Sequence, residues 1–277
     1  VRQTLNILGA GKVGMTLGRL WQERGTFEVQ DVMTRHLDRS TEAITFMGGG
    51  HAVDSLDGMR PADLYLIASP DDAIAALAVS LATSAHISPH MVVFHVSGAQ
   101  SSQLLAPVRT RGAATASAHP VASFADPHTL VQHFAGTFCT LEGDTRATDL
   151  LRDAFEAIGA RTIPIIPENK LLYHAGAVFA SNYLVVLLET ALATYELAGI
   201  ERGLAVRLME PLVRQTMENT FRGDTLDALG GPIARGDKAL VRNQYAALTR
   251  VNPQIAALYR ILAAQTSTLL GRDDLLQ

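Results

Sequence analysis

The side chains best suited to move a proton in this sequence stand where strands should end. His95 closes the apolar run Met91-Val92-Val93-Phe94-His95-Val96 and leads into Ser97-Gly98. His119 and Pro120 follow the run Ala114 to Ala118, and Ser69 and Pro70 follow Asp63 to Ala68. Histidine titrates near neutral pH and is the natural proton carrier. In open α/β sheets ligands gather beyond the carboxyl ends of the strands, so each of these residues is a candidate for contact with a ligand. His95 lies inside its apolar run and reads equally as a core histidine bonded to a backbone carbonyl. His119, at the end of its strand, is the better placed to exchange a proton with a small substrate. A further group falls on a helical stretch, where the spacing of Lys170, His174 and Asn182 puts them on adjoining parts of one face, with Tyr173 beside them. His174 is the alternative proton carrier. Asn182, an amide amid the apolar run Ala175 to Leu188, needs partners if buried and could orient a substrate, whereas Lys170 near the helix start reads equally as a solvated charge.

These residues need elements to position them, and the first element announces a ligand. The apolar-rich run Gln3 to Leu8 passes directly into Gly9-Ala10-Gly11-Lys12-Val13-Gly14 and then into a stretch of helical spacing ending at Trp21. In such a strand-turn-helix, Gly9 permits the sharp turn, Gly11 has no Cβ to hold a pyrophosphate off the backbone, and Gly14 lets the helix lie close on the strand. The helix N-terminus offers free N–H groups to the phosphates. A second strand, Phe27 to Met33, is followed by Thr34-Arg35, with Arg39 a turn further on. An arginine there accommodates a ribose 2′-phosphate, and an acid binds the 2′-hydroxyl. The cofactor expected is therefore NADP, held by Gly9, Ala10, Gly11, Lys12, Val13, Gly14, Thr34, Arg35 and Arg39, with Ser69, Pro70, Ser97 and Gly98 near it. Asp31 is the ribose ligand if the strand ends three residues earlier.

Strand and helix patterns alternate to about residue 166. Strands are expected at His51 to Val53, Asp63 to Ala68, Met91 to Val96, Ala114 to Ala118, Gly136 to Leu141 and Arg161 to Ile166. Beyond Pro164 and Pro167 only helical periodicity remains: one long helix from Glu168 to Ala198, a second from Glu201 to Phe221 bent at Pro211, a third over Lys238 to Thr249 capped by Asp237, and a last one from Pro253 to Leu270 capped by Asn252. The expected fold class is α/β: an N-terminal doubly wound Rossmann-type sheet over residues 1–166, which binds the cofactor, plus a C-terminal all-α domain over residues 167–277 for substrate and dimerisation. In the segment Gly231 to Asp237, Arg235 either reaches a substrate anion or belongs to a glycine-bounded turn.

Composition narrows the classes. The chain has 277 residues, of which 48% are hydrophobic and 18% charged, with a net charge of −4, so no basic field draws nucleic acid or an anionic membrane. The partner expected is a small molecule. A single cysteine, Cys139, excludes an internal disulfide and suits a reducing cytoplasm. No signal peptide is expected, and Ala175 to Leu188 reads as a buried helix too short and polar to span a bilayer. The remaining histidines show no metal-ligand spacing, so no metal is expected, and no GxSxG elbow supports a hydrolase. The helix from Glu168 to Ala198 presents apolar residues around most of its circumference, which predicts a homodimer through the C-terminal helices.

The glycine-turn start, Thr34-Arg35, His95-Val96-Ser97-Gly98-Ala99, His119-Pro120, Tyr173-His174 through Ser181-Asn182, and Gly231 to Asp237 together resemble a family of Rossmann-like NADP oxidoreductases. Its C-terminal half is a domain of unknown function similar to the C-terminal domain of 6-phosphogluconate dehydrogenase. The resemblance implies a cofactor domain followed by a helical, commonly dimeric one, and names no substrate. The chain is also similar at Asn182 to β-hydroxyacid dehydrogenases and ketopantoate reductase, but their lysine four residues earlier is Val178 here. At His119-Pro120 it is similar to prephenate dehydrogenases, whose His-Pro carries the catalytic histidine. It shares its plan with pyrroline-5-carboxylate reductase, which reduces an imine without a strong protein acid.

Overall fold

Strand and helix alternate from Gln3 to Pro164 in the computed structural model, which describes residues 2–272 and 276. The order is β1 (Gln3–Leu8), α1 (Lys12–Arg24), β2 (Phe27–Met33), α2 (Leu37–Met47), β3 (His51–Val53), β4 (Leu64–Ile67), α3 (Asp71–Thr83), β5 (Val92–His95), α4 (Ala106–Arg109), β6 (Ala114–Pro120), α5 (Pro127–His133), β7 (Phe138–Gly143), α6 (Thr145–Ala157) and β8 (Arg161–Pro164). The strands form one sheet in the order β3-β2-β1-β4-β5-β6-β7-β8. All neighbours pair in parallel except β6 and β7, which are antiparallel. The connection between those two holds only the short α5, started by Asp126, whose side chain accepts from the N–H groups of His128 and Thr129.

β4 and β5 are buried along their whole length and β1 from Leu5 to Leu8, as central strands covered on both faces must be. On one face Trp21 of α1 meets Phe27, Phe94 and Phe155 edge-on and donates its indole N–H to the Ala154 carbonyl at 3.0 Å. That contact fixes α1 and α6 against the sheet, and with α1 the turn that precedes it.

The chain divides into two compact units, Val1–Ser181 and Asn182–Gln277. The first therefore includes α7 (Lys170–Ala180), which follows the last strand. The second consists of α8 (Asn182–Leu197), α9 (Arg202–Arg222), α10 (Gly231–Arg235), α11 (Lys238–Val251) and α12 (Pro253–Leu269). Asp237 and Asn252 cap α11 and α12 with their side chains, and α9 runs uninterrupted through Pro211.

Two expectations for the long apolar helix need correction. It is not one helix: Ser181, at φ −121° and ψ −68°, separates α7 from α8. Nor is it buried, since Leu172 is 77% and Phe179 69% exposed on α7, and Val185 is 65% exposed on α8. By length and composition alone the run Pro167–Leu197 would suffice to cross a bilayer, contrary to the expectation from its central residues. Its first turn is held elsewhere, because Lys170 is only 1% exposed and bonds to oxygens of the sheet.

Candidate cofactor and proton-transfer site

The turn after β1 is built as its glycines require. Gly9 has φ +87°, and a Cβ there would lie 2.8 Å from both the Ala68 carbonyl oxygen and the Ser69 nitrogen. A Cβ at Gly14 would lie 2.8 Å from the Gly9 carbonyl oxygen, so α1 sits as close to β1 as backbone allows, whereas a Cβ at Gly11 would meet nothing within 4 Å. Gly11 is the residue before α1 and brings no side-chain cap, which leaves the first-turn N–H groups without an intrahelical or side-chain acceptor. These groups border a cavity of about 820 Å³ lined by Gly9, Ala10, Gly11, Lys12, Thr34, Arg35, His36, Arg39, Ser69 and Pro70 among others. The buried Ser69 hydroxyl has no hydrogen-bond partner. A cradle of open backbone donors with an unpartnered hydroxyl and flanking arginines fits a dinucleotide phosphate. Lys12 at present donates to the Ala125 carbonyl at 2.6 Å, and Arg39 pairs with Glu42 at 2.8 Å.

β2 runs to Met33, so Thr34 and Arg35 stand just past its end and Asp31 does not. Asp31 is buried and consumed by Arg60, whose backbone N–H donates to Oδ2 at 2.7 Å and whose Nη2 donates to Oδ1 at 2.6 Å. Asp31 thus stands within β2, two residues before its end, with its carboxylate engaged by Arg60. Val13, Gly14, Ser97 and Gly98 are not among the residues lining the cavity.

Ser97 and Gly98 stand instead beside the histidines. His119 Nδ1 and the Tyr173 hydroxyl are hydrogen-bonded at 2.8 Å, and the imidazoles of His119 and His174 are edge-to-face with centroids 5.8 Å apart. Both rings press on Gly98, where a Cβ would come within 2.6 Å of His174 Nδ1 and 2.8 Å of His119 Nε2. His174 Nδ1 is buried without a partner. Burial, then the charge of Lys170 and the neighbouring His174, lower the His119 pKa to about 4, and burial raises that of Tyr173. The arrangement is an imidazole that burial keeps neutral at neutral pH, hydrogen-bonded to a protonated phenol.

His95 is not presented to a ligand. It is fully buried, with Nε2 3.1 Å from the Ser101 carbonyl and Nδ1 accepting from the Ser97 N–H at 3.2 Å, so both ring nitrogens are spent on backbone. Burial lowers its pKa to about 4, and its place is that of a core histidine. Asn182 is exposed, at the start of the second unit, so it is not the buried amide expected, and the continuous helix assumed in spacing it from Lys170 and His174 is interrupted at Ser181. Arg235 is an exposed residue of α10, ended by Gly236 at φ +76°. What the sequence did not disclose is the depth of Lys170 and its neighbour Glu142, 4.0 Å away and equally buried. A glutamate in the apolar run from Phe138 and a lysine opening an apolar helix were the available signal. Among the described residues no group of three or more His, Cys, Asp or Glu could hold a metal.

Residues 1–120 match the family described as a Rossmann-like domain, and residues 137–266 match a domain of unknown function, DUF2520. No curated protein matches the chain in sequence. Among solved structures, a protein from Bacteroides fragilis provisionally described as an NADP oxidoreductase is similar at TM-score 0.80 and 18% identity, over 96% of this chain and 98% of that one. A protein from Thermotoga maritima is similar at 0.70 and 24% identity, over 96% and 99%. The reductive aminase from Aspergillus terreus in complex with NADPH and ethyl-5-oxohexanoate is similar at 0.69 and 16% identity, over 99% and 96%. At these identities the fold is what is shared: an N-terminal Rossmann-like sheet followed by a helical region.

Proposed function

We propose that the protein is an NADP-dependent oxidoreductase that moves hydride between nicotinamide and a small carbonyl, hydroxyl or imine substrate, in a reducing, cytoplasmic setting. The observation that carries this reading is that the open glycine turn and the Thr34-Arg35 strand end border one cavity while Asp31 is withdrawn to Arg60. It is supported by the similar fold of an aminase solved with NADPH. Bound NADP would supply or accept the hydride. The first-turn N–H groups and Gly11 hold the pyrophosphate, Arg35 the 2′-phosphate, and His119 exchanges the substrate proton with Tyr173 behind it. His174 is the second imidazole at the same place. Because His119 stays neutral down to about pH 4, it suits a substrate that needs no protein acid, such as an imine that arrives protonated and takes only hydride.

Arg35 tests the cofactor half of the proposal. Arg35→Ala should weaken NADPH binding by about tenfold or more, as for loss of a charge-assisted phosphate contact, and leave NADH binding nearly unchanged in a fluorescence titration. Equal weakening of both would show that Arg35 does not read the 2′-phosphate.

The exposed apolar side chains of α7 and α8 support the reading of the helical region as a dimerisation domain, of the kind found in 6-phosphogluconate dehydrogenase. Leu171, Leu172 and Phe179 on the one helix and Val185 and Val186 on the other call for a second copy of this chain as cover. Light scattering at micromolar concentration should give twice the 29.7 kDa of one chain; a monomer there removes the proposal.

A further inference from the structure

Lys170 lies beneath the imidazole pair and is joined to every segment that positions it. Its Nζ donates to the Ser97 carbonyl at 3.1 Å and to the Ser117 hydroxyl at 2.7 Å. Ser97 adjoins Gly98, on which both imidazoles rest, and Ser117 lies in β6 just before His119. Lys170 itself opens α7, whose next residues include Tyr173 and His174. The counter-charge is set back: Glu142 on β7 stands 4.0 Å from Nζ, and its carboxylate accepts from the Ser102 N–H and hydroxyl, each at 2.7 Å. An ammonium has three protons to donate, and the bonds to Ser97 and Ser117 both go to neutral groups, so its charge is compensated at a distance and acts on its surroundings.

We propose that Lys170 is a positioning residue of this site, its ammonium tying the Ser97–Gly98 turn, β6 and α7 together through the Ser97 carbonyl and the Ser117 hydroxyl and holding a charge in the core two residues from His119 on β6. On His119 its charge acts together with His174, and Tyr173 is hydrogen-bonded to the ring; Lys170 itself faces Glu142 and Cys139 from β7 and Asp71 at the start of α3, and also bears on His95 of β5. Glu142, Cys139 and Asp71 favour the charged form of Lys170 and burial opposes it. The consequence for the chemistry is a His119 kept neutral. This inference rests on the reading of His119 as the proton-exchanging group, yet its test needs no substrate.

The test is a titration of the full chain carrying ¹³C-labelled histidine, followed by NMR, with the His119 signal assigned by its loss in His119→Gln. In Lys170→Met/Glu142→Gln, which removes both charges and keeps their bulk, the His119 midpoint should rise from about 4 by about one pH unit or more, the size expected for losing a nearby like charge in a buried place. In Glu142→Gln alone the cation loses its compensation, and the midpoint should fall or stay. An unchanged midpoint in the folded double variant would overturn the proposal. If the double variant does not fold, Glu142→Gln decides alone, and a rise there overturns it. Midpoints that move as stated in a protein that turns over no substrate would leave this inference standing and sink the oxidoreductase reading.

Discussion

Gly9→Ala should abolish NADPH binding and destabilise the chain by about 3 kcal/mol, the combined size of forcing a side chain into the left-handed region and overpacking a closed site. Gly9 has φ +87°, and the atoms its Cβ would strike, at 2.8–2.9 Å, are backbone of Ala68 and Ser69. They cannot withdraw cheaply, because the Ala68 N–H donates to the Leu8 carbonyl at 2.8 Å and the Gly9 N–H to the Met33 carbonyl at 2.7 Å. Relief would therefore require β1, β2 and β4 to separate. Gly11→Ala is the informative companion. Its Cβ would meet nothing within 4 Å and its φ is −71°, so urea unfolding should be unchanged while NADPH binding weakens. A Gly11→Ala protein that binds NADPH normally would show that no pyrophosphate lies against this turn.

The second large effect is a loss of stability in mild acid. His95 is buried with a folded pKa of about 4, against an ordinary value of 6.5. The unfolded chain therefore binds a proton that the native chain refuses between those two values. The stabilisation is complete above pH 6.5 and is lost progressively as the pH falls toward 4, on the order of 3 kcal/mol over that window. His119, held at about 4 by burial and by Lys170, adds to the slope in the same direction. Urea unfolding at pH 7.5 and pH 5 should show the difference, and His95→Gln should flatten it while costing stability at both. A slope unchanged in His95→Gln would mean that the imidazole charges in place without breaking its bonds to Ser97 and Ser101.

Much of both units is legible in the sequence where its signals are local. The glycine turn, the apolar strands and the caps at Asp237 and Asn252 are each written in a few adjacent residues. The placing of His119 at a strand end follows from the same alternation. What escaped is non-local. The antiparallel pairing of β7 with β6 is a contact between segments 17 residues apart that no run of adjacent residues announces. The break at Ser181 interrupts a stretch whose apolar periodicity continues on both sides, so the spacing that placed Asn182 beside His174 was sound for a helix that is not continuous. Lys170 and Glu142 come from segments far apart, and a lone charge in apolar sequence reads as a solvated end until its counterpart is seen in the same core.

The central claim is hydride transfer with NADP, and nicotinamide absorbance measures it directly. The protein is mixed with NADPH or NADH against keto acids and cyclic imines, and with the oxidised forms against hydroxy acids. Turnover is expected with at least one of these classes, faster with the 2′-phosphorylated cofactor and abolished in Gly9→Ala. A protein that binds NADPH tightly yet leaves every member of the panel untouched would contradict it and identify a nucleotide-binding sensor or assembly protein instead.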